Sequence, residues 1–113
     1  MDVIFALKIA VTIKENAWVA RMAAKKLRSH RMAIVFGRTI YLHGVSRGEF
    51  LGNTSWLRHE LKHVEQYQRY GFFMFLAKYL WQSLRHGYYR CGLECEARAA
   101  EGDLEITDRY FIE

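Results

Sequence analysis

The chain has no proline, only two cysteines and no long apolar run, and each shortage removes a class of protein. Nothing in the 113 residues reads as a linker, a repeat or a low-complexity segment, so one domain spanning 1–113 is expected. Cys91 and Cys95 are too few for a disulfide framework and suit reduced thiols in a cytoplasmic protein. The apolar stretch 3–13 is preceded by Asp2 and interrupted by Lys8, which argues against an export signal. Neither it nor the run 72–81 is long enough to span a bilayer, so a soluble protein is expected, not an integral membrane one. No recognised nucleic-acid motif is present. The cluster Arg21, Lys25, Lys26, Arg28 and Arg31, in a chain of net charge +5, reads first as the solvated face of a helix.

What is present is hydrophobic and aromatic. These residues make up 51% and 15% of the chain, enough for a folded domain, and the helices and strands expected along it make an α+β fold. The stretch 3–13 reads as a strand or buried lead-in. The segment 15–29 reads as a helix with Trp18, Val19, Met22, Ala23 and Leu27 on its apolar side. Two β-rich runs, 33–36 and 39–43, are split by Gly37-Arg38 and predict a hairpin. Residues 44–52 read as a loop. A helix follows from a cap at Asn53 or Thr54 to about Tyr70, stopped by Gly71. An aromatic helix over about 72–85 carries Phe72, Phe75, Leu76, Tyr79 and Leu80 as a core stripe. Phe73 and Trp81 widen its apolar surface into a hydrophobic substrate groove or a peripheral membrane contact. A short helix over about 93–101 ends at Gly102, and the tail 103–113 adds a strand or docks on the body.

The chemistry concentrates in His59-Glu60-Leu61-Lys62-His63, an H-E-x-x-H sequence within the capped helix. Residues four apart lie on one helical face, so two imidazoles can grip one ion while the intervening Glu60 reaches an activated water as general base. Leu57, Leu61 and Val64 form the core-facing side, and the histidines are expected on a different, polar side. A zinc hydrolase needs a third protein ligand and an open fourth position. The candidates downstream are His86, Cys91, Glu94, Cys95, Glu96 and Glu101. Glu94 is chosen, on an alanine-rich helix able to approach the histidine helix closely, with Glu96 as the fallback.

His59-Glu60-Leu61-Lys62-His63-Val64-Glu65-Gln66, a phenylalanine-rich helix, Gly87-Tyr88-Tyr89 and Leu93-Glu94-Cys95-Glu96-Ala97 together resemble the gluzincin metallopeptidases. The likeness is nearest to their minimal soluble forms, the minigluzincins, which are similar to the catalytic cores of CAAX prenyl proteases and to bacterial HExxH domains. The resemblance implies a minimal zincin-like core: an N-terminal helix, a small antiparallel hairpin sheet, the HExxH helix, an aromatic helix and a short glutamate helix. It also implies Zn2+ held by His59, His63 and Glu94, hydrolysis of peptide bonds with Glu60 as base, and an extended substrate paired with edge strand 39–43. His86, Tyr88 and Tyr89 are the nearest candidates to stabilise an oxyanion. Arg98 is a departure, because the family often has there an acid that supports a zinc-binding histidine.

Two competing readings accompany the peptidase. One is a latent or non-catalytic zinc module whose tail, within the nineteen residues after Glu94, folds across the metal. The other is a basic nucleic-acid-associated HExxH protein, although such proteins generally use a third histidine in place of the glutamate.

Overall fold

The β-branched run Ile9–Lys14 forms strand β1, with Val11 fully buried. Helix α1 spans Trp18–Leu27, and the hairpin strands β2 and β3 span Met32–Phe36 and Thr39–His43. Three helices follow: α2 (Arg47–Gly52), α3 (Thr54–Tyr70) and α4 (Phe72–His86). Helix α5 (Gly92–Ala100) leads through one 3-10 turn, Ile106–Arg109, to strand β4 (Tyr110–Ile112). The computed structural model describes residues 8–87 and 92–113, so the first residues of the 3–13 stretch, together with Tyr88, Tyr89 and Cys91, lie outside the described residues.

The strands form one mixed sheet in the order β2-β3-β1-β4. The hairpin is antiparallel, pairing Val35 with Ile40, while β1 runs parallel to β3 on one side and to β4 on the other. Val11, Ile40 and Leu42 of the sheet join Phe50, Leu57, Leu61, Val64 and Ile106 in the core. The α+β class, the hairpin, the HExxH helix and the two helices after it are therefore as expected from sequence.

Four expectations are corrected. The segment 44–52 is not all loop, because Ser46 caps α2 by accepting from the Glu49 backbone N–H at 3.1 Å and Phe50 is driven into the core. Strand 39–43 is interior, hydrogen-bonded to β2 and β1, and the free edge on that side is β2. Helix α1 packs on β2 and β3 through Ala20 and Ala24, whose small side chains allow close approach. Its bulkier Trp18, Met22 and Leu27 are left exposed. On α4 only Phe75 of the expected core stripe is buried, while Phe72 and Leu80 are exposed.

The tail docks at the sheet edge farthest from β2 and does not fold across the HExxH helix's histidines. Ile106 and Tyr110 are its buried anchors. Ile106→Ala is therefore expected to destabilise the protein by about 2–5 kcal/mol, read from the urea midpoint. Deletion of 103–113 is expected to lower stability, with no activity unmasked.

Candidate metal centre

Helix α3 starts with Asn53, whose side chain accepts from the Trp56 backbone N–H at 3.2 Å. Leu57, Leu61 and Val64 pin it to the core. The next faces round the helix carry Glu60, His63 and Gln66, which are also buried, whereas the polar histidine side was expected away from the packed interior. The reason is α5. Its alanines Ala97 and Ala100 are buried, and this helix closes over the histidines with Glu94, itself only 3% exposed.

Glu94 Oε1 lies 3.0 Å from His59 Nε2 and 3.2 Å from His63 Nε2. The three donor atoms all lie within 4.8 Å of one another. Tetrahedral zinc with bonds near 2.1 Å separates its ligand atoms by roughly 3.4 Å, so little movement is needed to seat an ion between them. Glu96 is not part of this set. It points along α3 instead, accepting from Gln66 Nε2 at 3.2 Å and from Arg69 at 3.3 Å.

The outer hydrogen bonds fix the rings. Glu101 Oε2 is 2.8 Å from His59 Nδ1, and Gln66 Oε1 is 2.9 Å from His63 Nδ1. Gln66 is held in that orientation because its amide donates to the Leu93 carbonyl at 3.1 Å and to Glu96. Tyr79 donates to the second oxygen of Glu94. Each Nδ1 thus faces an acceptor and carries a proton, which leaves each Nε2 for a metal. The acid expected one turn after Glu94 is replaced by Arg98, and Glu101, on the turn at the end of α5, supplies the carboxylate instead. Glu101→Gln keeps an acceptor but loses the charge, and is expected to weaken zinc binding about tenfold to a hundredfold, measured by competition with a chromogenic chelator.

The electrostatics fit a dication. Burial opposes charging of His59, but Glu94, Glu60 and Glu101 outweigh it and raise its pKa to about 9. His63 is likewise raised against its burial, chiefly by Glu94 and Glu60. Burial pushes Glu94 up, but hydrogen bonds from both histidines hold it well below the usual carboxylate range. Metal-free, each ring faces an acceptor at both of its nitrogens, an arrangement that suits imidazolium beside an ionised Glu94. One dication replacing the two Nε2 protons leaves the buried charge unchanged. Burial also pushes Glu60 up to about 7, with His63 and His59 pulling the other way.

The sign of the pH dependence follows. His59 and Glu60 have raised folded-state values, so their stabilising contribution is present in acid and is lost as pH rises through about 7 and then about 9. Zinc bound at the triad would compete with the same protons, so its effect would grow over that range. The metal-free melting temperature is expected to fall from pH 6 to pH 9, while the increment produced by zinc rises. Calorimetry in buffers of different ionisation enthalpy should show net proton release on zinc binding near neutral pH, since His59 titrates at about 9 and must give up its Nε2 proton.

An apolar cleft of about 400 Å³ leads to this cluster, with β2 on one side and α1 and α4 as walls. His59, Glu60, His63 and Glu94 lie at its base, and Ala33, Leu27, Leu76 and Leu80 line its sides. A second, more polar opening reaches His59, Glu60 and Glu94 between Arg98, Glu101 and Arg31. Arg98 is thus brought to the site. His86 is not: it ends α4, is exposed, and lines neither opening. Tyr79 and Gln66 were not singled out as site residues from sequence. A register signal existed for Gln66, three residues after His63 on the same helical face. Comparison with models of known protein families, with curated proteins and with solved structures finds no match to this chain.

Proposed function

We propose that this protein is a zinc-dependent peptidase of gluzincin type. The observation that carries the reading is the convergence of His59 Nε2, His63 Nε2 and Glu94 Oε1 at the base of an open cleft, with the buried carboxylate of Glu60 beside them. Zinc bound there supplies Lewis acidity toward a peptide carbonyl and makes the attacking water more acidic. The chain's own groups do the rest. Glu60 takes the water's proton and delivers it to the leaving amine, a task suited to a group whose pKa sits near neutrality. Glu101, Gln66 and Tyr79 hold the three ligands in register. Arg98 is placed at the polar opening, where it can face developing negative charge.

A peptide substrate is favoured by the free edge of β2. Tyr67 donates to the Val35 carbonyl at 3.0 Å, so that peptide group faces α3 and the cleft and not β3. Ala33, two residues earlier, directs its peptide groups to the same side and lines the cleft. An extended peptide can pair there by strand addition. The two cysteines suit a reducing cytoplasm.

The test is cleavage of unfolded casein by the zinc-loaded protein. Cleavage that stops on chelation and returns with stoichiometric zinc supports the reading. Zinc bound at the triad with no turnover of casein or of an unstructured peptide library removes it.

A further inference from the structure

The walls of the cleft turn their larger apolar side chains outward. On α1, Trp18 and Met22 are 71% and 59% exposed. On α4, Phe73, Leu80 and Leu84 are 83%, 62% and 85% exposed. The last three follow at intervals of seven and four residues, so they form one stripe along the helix. Leu80 also lines the cleft, which puts the stripe on its rim. Charge on these elements has one sign. Helix α1 carries Arg21, Lys25 and Lys26, α4 carries Lys78 and Arg85, and neither these helices nor β2 contain an acidic residue.

This combination discriminates between occupants. A second copy docked through the same patch on both subunits brings two cationic surfaces together with no acidic residue of these elements to offset them. A nucleic-acid backbone meets the cations but leaves Leu80, Leu84 and Met22 in water. An anionic bilayer satisfies both: aliphatic and aromatic side chains enter the headgroup and acyl boundary, and the flanking cations meet lipid phosphates. Helix α4 is about 22 Å long, shorter than the ~30 Å hydrocarbon core. No helix among the described residues is long and apolar enough to cross a membrane, so contact in the plane of the interface is the arrangement that fits.

We propose that the face formed by α1 and α4 around the cleft mouth docks on an anionic lipid bilayer, with the cleft opening toward the headgroups. The docking is a property of this surface and does not depend on the chemistry at the base of the cleft.

The experiment is co-sedimentation of the full chain with vesicles of phosphatidylcholine alone and of phosphatidylcholine mixed with phosphatidylglycerol. The wild type is expected to partition roughly tenfold or more in favour of the anionic vesicles, and less so as salt is raised. The double substitution Phe73→Ser, Leu84→Ser is expected to lower binding at least about tenfold. Both side chains are exposed, so an unchanged circular dichroism spectrum shows that folding is not the cause. Lys25→Glu with Lys26→Glu is expected to abolish the preference for anionic vesicles. Wild-type protein that stays in the supernatant with both vesicle types overturns the proposal, as does a Phe73→Ser, Leu84→Ser variant that sediments like wild type. A wild-type dimer that these two substitutions make monomeric assigns the face to a second copy and equally overturns it.

Discussion

Glu60→Gln is expected to bind zinc as the wild type does and to lower peptide hydrolysis by about 10²–10⁴-fold, the contribution of a positioned acid–base group. Glu60 is outside the converging set of donor atoms, so removing its charge leaves the ligands in place. It is only 5% exposed, and its burial holds its pKa near 7. A carboxylate kept in that condition is unfavourable for the fold once it ionises. The same substitution should therefore make the metal-free protein more stable above about pH 7, where the wild type must bury the charge. Three measurements check the set: zinc content, casein turnover and alkaline melting temperature. Wild-type turnover in Glu60→Gln would remove it from the reaction, and lost zinc would move it into the ligand set.

Glu94→Ala is expected to abolish stoichiometric zinc binding and to destabilise the metal-free protein. The first effect should exceed the tenfold-to-hundredfold loss typical of outer hydrogen-bond partners, because a direct donor is removed. The second arises because Glu94 accepts from His59, His63 and Tyr79 in a buried place. Removing it leaves two imidazoles in the interior without their counter-charge, a loss on the order of 3–5 kcal/mol when one partner of a buried pair is deleted. Both rings should then lose protons at lower pH than in the wild type, since Glu94 is the leading influence raising them against burial. Histidine titration by NMR reads this directly. An unaltered zinc affinity in Glu94→Ala would assign the third ligand elsewhere, and the same experiment on Glu96→Ala, expected to be near neutral, serves as the control.

Those two residues also illustrate what the sequence discloses. His59, Glu60 and His63 are legible because helical periodicity alone puts the histidines on one face, and the helix is announced by Asn53 and ended by Gly71. Glu94 and Glu96 both face α3 but at different places: Glu94 meets His59 and His63, while Glu96 meets Gln66 and Arg69 farther along the helix. The outer partners were harder to see. Glu101 is legible as a candidate on the face of Glu94, but its role on His59 Nδ1 spans 42 residues and depends on the turn that ends α5. Tyr79 reaches Glu94 from a helix whose aromatic residues look like packing groups.

The sheet shows the same division. The hairpin follows from local turn chemistry, but the sheet order does not. Placing β1 beside β3 and β4 on the far edge depends on long-range pairing between residues such as Ile9 and Tyr110. That pairing is what makes β3 interior and gives the free edge to β2. Helix α1 departs from the sequence expectation for a related reason. Apolar bulk picks out Trp18 and Met22, while the sheet accepts only the alanine side. Helix α2 is announced by Ser46, whose hydroxyl accepts from the Glu49 backbone N–H and donates to the Glu49 carboxylate, a cap that the surrounding glycines obscure.

The most direct test of the account is crystallography of zinc-loaded protein with anomalous data collected on both sides of the zinc absorption edge. The account predicts one peak, about 2.0–2.2 Å from His59 Nε2, His63 Nε2 and a Glu94 oxygen, with Glu101 and Gln66 still on the two Nδ1 atoms. A zinc peak elsewhere, or full-occupancy histidines still bonded to Glu94 with no ion between them, would contradict it.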